Sequence, residues 1–318
     1  MSAASTPQIS VVVSGRDAAA TIERAVRAMV GQAGAPLHEV IVVDNASRDE
    51  TGRLAADAGA SVVRLDDRAA GPGHARNAGV EEARADLIAF SDADCFPTPG
   101  WLAAVAHGFT AGDLISGPIL PEPTVSRTHW DRTIAVRDPS PLYATANLAV
   151  RRRAFLAAGG FRDWHTDATE APSHPYGEDT ALAWRLIRDG SRPYFARDAV
   201  VHHAVFAEGV SRWIARHGEM EHLPELVRMI PELRREMLIG GVFASKRTLA
   251  TSLALAGLAV AAVSRRPEPL AATLPALWLN ARRTAAMGPG AGAIWASADL
   301  VSVWSLLRGS VRARTVVL

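Results

Sequence analysis

Two aspartates stand one residue apart in "LIAFSDADCF" (87–96), directly after four apolar residues. Carboxylates at the edge of a core are costly unless a cation, a hydrogen-bond donor or water takes up their charge. On an extended chain a spacing of two points Asp92 and Asp94 to the same side. A hard divalent cation bound through oxygen would relieve their repulsion there; a solvated turn is the other reading of the pair. Similar groups recur elsewhere. Ser14, Gly15, Arg16 and Asp17 follow the first apolar run, and Asp44 ends the second. Glu178 and Asp179 stand behind Gly177, whose freedom allows a sharp entry into a helix. His202 and His203 end the last apolar run, and adjacent strand residues face opposite ways, so at most one can reach a cation.

The elements that must position these groups alternate. "ISVVV" (9–13) reads as a β-branched strand, and Ile22, Ala25, Val26, Met29 and Val30 then recur at helical spacing up to Gly31. "EVIVVD" (39–44), "SVVRL" (61–65) and "DLIAF" (86–90) are further strands. Ser47 and Glu50 have the spacing of a capping box for the helix after the second strand. Thr98 and Pro99 read as an N-cap and first-turn proline. Later come "DLISGPIL" as one strand, a proline-punctuated connector (121–141), a strand, short helix and glycine turn in "TANLAVRRRAFLAAGGF", a helix in "GEDTALAWRLIRDG" and a final strand in "RDAVVHHAV". This pattern predicts an α/β fold with a mixed, mostly parallel sheet and helices on both faces. In such sheets ligands bind beyond the carboxyl ends of the strands, where Ser14, Arg16, Asp44, Asp92 and Asp94 fall.

Composition narrows the field. With 318 residues, 48% hydrophobic and 21% charged, a large core is expected and global disorder is not. A net charge of +1 gives no electrostatic case for nucleic acid as partner. One cysteine, Cys95, excludes an internal disulfide and fits a reducing compartment. The opening "MSAASTPQIS" lacks the basic and apolar regions of a secretion signal, so a cytoplasmic location is expected. From about Trp213 the chain turns helical and rich in Leu, Ala and Arg, with apolar stretches at 249–263, 270–279 and 291–307. None reaches the ~20 residues of a spanning helix, and arginines punctuate them. That suits either helices on an anionic membrane surface, peripheral on the inner face of the cell membrane, or a helical subdomain packed on itself. The expected division is 1–210 and 211–318.

Six segments in order resemble the inverting family-two glycosyltransferases of the GT-A fold: "ISVVVSGRDAAATIERAVRAM", "VIVVDNASRDET", "GPGHARNAGVEEA", "IAFSDADC", "TANLAVRRRAFLAAGGF" and "GEDTALAWRL". The resemblance spans 9 to about 203. It implies that Asp44 hydrogen-bonds the base of a nucleotide-diphosphate sugar, that Arg76 contacts its base or phosphates, and that Asp92 touches the ribose and positions Mg²⁺ or Mn²⁺. Asp94 would ligate that ion directly, with His203 the preferred histidine. Asp179 would be the general base, with Glu178 its alternative. Trp164, His165, His174 and Tyr176 lie where this family lines its acceptor site.

Departures accompany the likeness. Ser14 and Gly15 stand where the family has proline and a small residue, Asp17 replaces a frequent asparagine, and Ala46 a frequent glycine. Processive members carry Gln-x-x-Arg-Trp; "GVSRW" has Gly209 in place of the glutamine, which with the lack of long apolar spans implies transfer of a single sugar, and a membrane-bound C-terminal region would make the acceptor a saccharide or lipid-linked hydroxyl. Two rivals are a sugar-nucleotide nucleotidyltransferase, disfavoured because "SGRDAAAT" has only Arg16 to hold a triphosphate, and a non-catalytic nucleotide-sugar-binding protein.

Overall fold

Strands buried on both faces read as unbroken β-branched runs, and the computed structural model shows where each face goes. It describes residues 9–32, 34, 37–67, 71–162 and 176–318. Val11, Val13, Val40 and Val42 enter one hydrophobic cluster with the helix Ile22–Val30. Val12, Ile41, Ile88 and Phe90 enter a second cluster on the opposite face. The period of two along each strand thus divides one apolar run between two cores.

In chain order the first unit contains β1 (Ile9–Gly15), α1 (Ile22–Val30), β2 (Leu37–Asn45), α2 (Thr51–Asp57), β3 (Ser61–Leu65), α3 (Pro72–Glu82), β4 (Leu87–Asp92), β5 (Cys95–Pro97) and α4 (Trp101–Gly108). It continues with β6 (Leu114–Ser116), β7 (Ile119–Pro121), β8 (Leu148–Arg151), α5 (Arg152–Ala157), α6 (Glu178–Arg188), β9 (Pro193–Phe195) and β10 (Val201–His203). Seven strands form a sheet in the order β3-β2-β1-β4-β8-β6-β9, and β5-β10-β7 form a small second sheet. β3, β2, β1 and β4 are parallel, while β8 runs antiparallel to both β4 and β6. The chain leaves β1 toward β2 and later returns to β1's other side as β4. That reversal opens a crevice beyond the carboxyl ends of β1 and β4.

Three local expectations change. Ser47 and Glu50 do not form a capping box: α2 begins at Thr51, the Ser47 hydroxyl accepts from the Asp17 amide (3.1 Å), and Asp49 accepts from Thr51 N (3.0 Å). Contacts between the β1 and β2 loops, including Arg48 N to Asp17 (2.7 Å), outcompete the local cap. Thr98 is likewise not an N-cap. Its hydroxyl donates to the Val200 carbonyl (3.1 Å), and α4 starts at Trp101 behind Gly100. "DLISGPIL" breaks at Gly117-Pro118 into β6 and β7, which join different sheets; proline has no N–H to continue a ladder.

Ala46 explains itself as a departure. Its φ is +55°, the left-handed region that an L side chain enters at a cost. Ala46→Gly should therefore raise stability by up to about 1 kcal/mol, read as a higher urea midpoint at unchanged slope. An unchanged or lower midpoint would refute the strain.

The second unit comprises Thr128–Arg132 and Ala207–Leu318, so the division follows Phe206 rather than 210 and takes five connector residues with it. Its helices are α7 (Val210–Arg216), α8 (Leu223–Met229), α9 (Leu233–Glu236), α10 (Lys246–Ser264), α11 (Leu274–Met287) and α12 (Ala291–Ala313). Ser245 and Thr248 form a reciprocal capping box at the start of α10. Arg247 ties three helices together, reaching Asp299 of α12 (2.8 Å) and Asn280 of α11 (2.6 Å). Trp213 packs edge-on against both Trp130 and Trp295.

Candidate active site

Arg76 is the hub of the crevice. It lies on α3, which packs closely on the sheet because Gly79 carries no side chain: a Cβ there would stand 2.5 Å from Val12 and 3.1 Å from Val43. The next residue, Asn77, holds the glycine turn by exchanging hydrogen bonds with the Phe161 backbone (2.8 and 2.9 Å). The Phe161 ring then lies under the Arg76 guanidinium at 5.6 Å. Arg76 is only 5% exposed. One terminal nitrogen donates to Asp92 (2.9 Å) and the other to Glu178 (3.1 Å). Burial opposes its charge, but the Asp92 and Glu178 carboxylates outweigh that and raise its pKa. Its buried Nε has no hydrogen-bond partner among the described residues.

Asp179 follows Glu178 at the start of α6, behind Gly177 at φ +79°. It accepts from the amides of Thr180 (2.7 Å) and Thr145 (3.4 Å). Burial and the Glu178 carboxylate push its pKa up to about 7, against the pull of those amides and of Arg76. The two acids are therefore unlike: Glu178 is committed to a guanidinium, and Asp179 is poised to take a proton near neutrality.

Asp92 and Asp94 take different partners. β4 ends at Asp92, the chain turns through Ala93 and Asp94, and β5 begins at Cys95. The same-side argument assumed an extended chain, and the turn breaks it. Asp92 goes to Arg76, whereas Asp94 faces His203 across 3.6 Å. His203, 2% exposed, is in register with Cys95 on the antiparallel β5–β10 ladder. Its Nδ1 meets the Ala204 carbonyl at 2.7 Å; since a carbonyl only accepts, Nδ1 donates there and Nε2 is the nitrogen that faces Asp94. An imidazole nitrogen opposite a carboxylate, with the other ring nitrogen oriented by a carbonyl, fits a divalent cation held by oxygen and nitrogen. Cys95 Sγ belongs to the same cluster. Burial, then Asp92 and Asp94, drive the pKa of its thiol well up. His202, on the opposite side of the strand, stays outside the cluster.

The remaining candidates lie at neighbouring strand ends. Ser14 pairs in register with Asp92 on one side and Val43 on the other. Arg16 Nε donates to the Asn45 carbonyl (2.9 Å). Asp44 is 1% exposed, accepting from Ser47 N (3.0 Å) and Arg64 (3.2 Å). It therefore makes the turn contact as well as standing at the strand end. Arg64 was missed by sequence reading. It sits opposite Asp44 in the β2–β3 register, and only strand pairing reveals that. Thr145 was missed for the same kind of reason, being brought to Asp179 from 34 residues away. Tyr176 is half-buried just before α6; Trp164, His165 and His174 lie outside the described residues.

Comparison with known proteins bears on the fold. Residues 10–165 match the family described as Glycosyl transferase family 2. The chain is 26% identical over 250 residues to Glycosyltransferase AglE of Haloferax volcanii, covering 65% of this chain and 80% of that one. Its fold resembles the mannosyltransferase PcManGT from Pyrobaculum calidifontis, solved in complex with GDP-Man and Mn²⁺, with a TM-score of 0.57 at 20% identity over 98% of this chain and 88% of that one. It also resembles S. aureus TarS 1-349 in complex with UDP-GlcNAc, with a TM-score of 0.51 at 14% identity over 97% and 92%. The chain is a glycosyltransferase of the GT-A fold, and its residues 10–165 carry the match to glycosyl transferase family 2.

Proposed function

We infer that the protein moves a single sugar from a nucleotide-diphosphate donor to a hydroxyl acceptor with inversion, aided by Mg²⁺ or Mn²⁺. The observation that carries this is Arg76, which joins the donor-side Asp92 to Glu178, next to an Asp179 whose pKa is near neutrality. Asp179 takes the proton of the acceptor hydroxyl as that oxygen attacks the anomeric carbon, and the nucleoside diphosphate departs. Arg76 holds Asp92 and Glu178 in place, and Asp44, Arg64, Ser14 and Arg16 face the nucleoside end. Asp94 and His203 would hold the cation, which neutralises charge building on the diphosphate. The acceptor is a saccharide or lipid-linked hydroxyl in cell-envelope or glycolipid synthesis, reached from the cytoplasmic side of the membrane. Gly209 in "GVSRW" supports single addition over polymerisation.

Thermal unfolding with UDP, GDP and dTDP, each with and without Mn²⁺, tests the donor half. A nucleotide that binds the folded state at a hundred times its Kd stabilises by about 2.7 kcal/mol. Asp94→Ala is expected to abolish the Mn²⁺-dependent part of that shift. If the shift and its metal dependence survive in the variant, Asp94 is not a ligand.

A further inference from the structure

The helical unit exposes an apolar surface that its own packing leaves uncovered. Among the described residues α10 is the only helix long and apolar enough to cross a membrane, and just 22% of that stretch is buried. Its first turns are held: Arg247 is paired with Asp299, and Thr248, Ala250 and Thr251 are buried. Beyond Thr251 the helix emerges. Leu255, Leu258, Val260 and Val263 are exposed, the third by 53% and the last by 88%. The chain then reverses through a 3₁₀ turn (Glu268–Thr273) into α11, where Leu274 and Trp278 are exposed by 62% and 57%. Gly257 lets the 3₁₀ turn lie back against α10, since a Cβ there would meet the Pro269 carbonyl oxygen at 2.5 Å. The hairpin is thus a built element with its apolar side outward.

Charge decides what covers it. Between Lys246 and Gly290 stand six basic residues and a single acid, Glu268, in a chain whose net charge is only +1. Arg265 and Arg266 mark the hairpin's turn, and Arg282 and Arg283 its far end. Arg282 stacks on Trp278 with its guanidinium carbon 4.9 Å from the ring centre. A second copy of this chain would bring like charges together, whereas an anionic surface complements them.

Length decides the mode. The exposed apolar part of α10, 253–263, is about 16 Å long at 1.5 Å per residue, roughly half the ~30 Å hydrocarbon core. Entry tip-first would also carry Arg265 and Arg266 into that core, at high cost. Lying in the interface avoids both penalties: the apolar side meets acyl chains, and arginines at both ends meet headgroup phosphates.

We propose that the α10–α11 hairpin docks in the plane of an anionic lipid surface, burying Leu258, Val263 and Trp278 without crossing the bilayer. This names the surface that would bring the transferase to lipid-linked acceptors, and in that respect it rests on the function proposed above.

The test is flotation of the full-length protein with vesicles of phosphatidylglycerol mixed with phosphatidylcholine, against phosphatidylcholine alone. The native chain should float with the anionic vesicles, and raised salt should weaken this. The combined variant Leu258→Glu, Val263→Glu, Trp278→Glu should reduce binding at least tenfold. Arg265→Glu with Arg266→Glu, which leaves the apolar side intact, should remove the preference for anionic lipid. Leu156→Glu, at an exposed apolar site on α5, should change nothing. Circular dichroism melts confirm that each variant is folded. Native protein that ignores anionic vesicles overturns the proposal. So does a concentration-dependent dimer that the triple variant dissociates, or binding that only the α5 substitution weakens. Nucleotide-induced stabilisation is measured on the same samples. If it persists where flotation fails, the docking surface falls and the transfer reaction stands; the reverse result separates them the other way.

Discussion

Arg76→Ala is expected to cost about 3–5 kcal/mol of folding stability and to abolish nucleotide-induced stabilisation. The magnitude follows from what the substitution leaves behind. Asp92 and Glu178 are largely buried, and each meets one terminal nitrogen of the guanidinium. Removing one partner of a buried pair strands charge without compensation, and here two carboxylates are stranded beside Asp179. The penalty should shrink as pH falls through the raised pKa of Asp179, because a proton on that carboxyl relieves its share of the repulsion. Arg76→Lys should recover part of the stability but little of the binding, since an ammonium is a point charge and cannot hold two carboxylates in a fixed fork. Urea unfolding at pH 5 and pH 8, with melts in the presence of nucleotide, checks both statements. A loss under 1 kcal/mol at pH 8 would mean that Arg76 does not organise the site.

Asp179→Asn should separate activity from stability. As general base the carboxylate must be ionised, so turnover should rise about tenfold per pH unit below its pKa of about 7 and level off above it. The amide cannot accept the proton, and turnover should fall about 10²–10⁴-fold. Stability moves the other way. A carboxyl whose pKa is raised on folding binds more protons in the native state, so its contribution falls as pH climbs from about 4 to about 7. The variant lacks that liability. It should melt higher than the native protein at pH 8, with the gap closing toward pH 4. Glu178→Gln gives a further check, because removing the neighbouring negative charge should shift the rise in turnover to lower pH. A pH profile untouched by either substitution falsifies the assignment of the base.

Much of the sheet was legible in the residues. β1, β2, β3 and β4 follow from β-branched runs, and α1 and α6 from helical spacing closed by glycine or led in by it. Ends were less legible. Ser47 and Thr98 have cap chemistry, yet their hydroxyls are taken by Asp17 and Val200, partners distant in the chain. Local propensity is a weak prior when a tertiary partner competes for the same oxygen. Ala46 shows the converse: the position where an alanine replaced an expected glycine has a positive φ.

For the site, the residue types, their order and the strand-end location were set by the sequence alone, through apolar periodicity and acids placed after buried strands. Their grouping was decided only by the fold. The turn at Ala93 sends Asp92 to Arg76 and Asp94 to His203, so a motif that reads as one pair serves two clusters. Arg64, Thr145 and Glu178 arrive from distant segments by strand register and helix packing. Sequence spacing fixes distances along a chain of known conformation, whereas pairing, burial and the pKa of Asp179 depend on what the folded chain brings near.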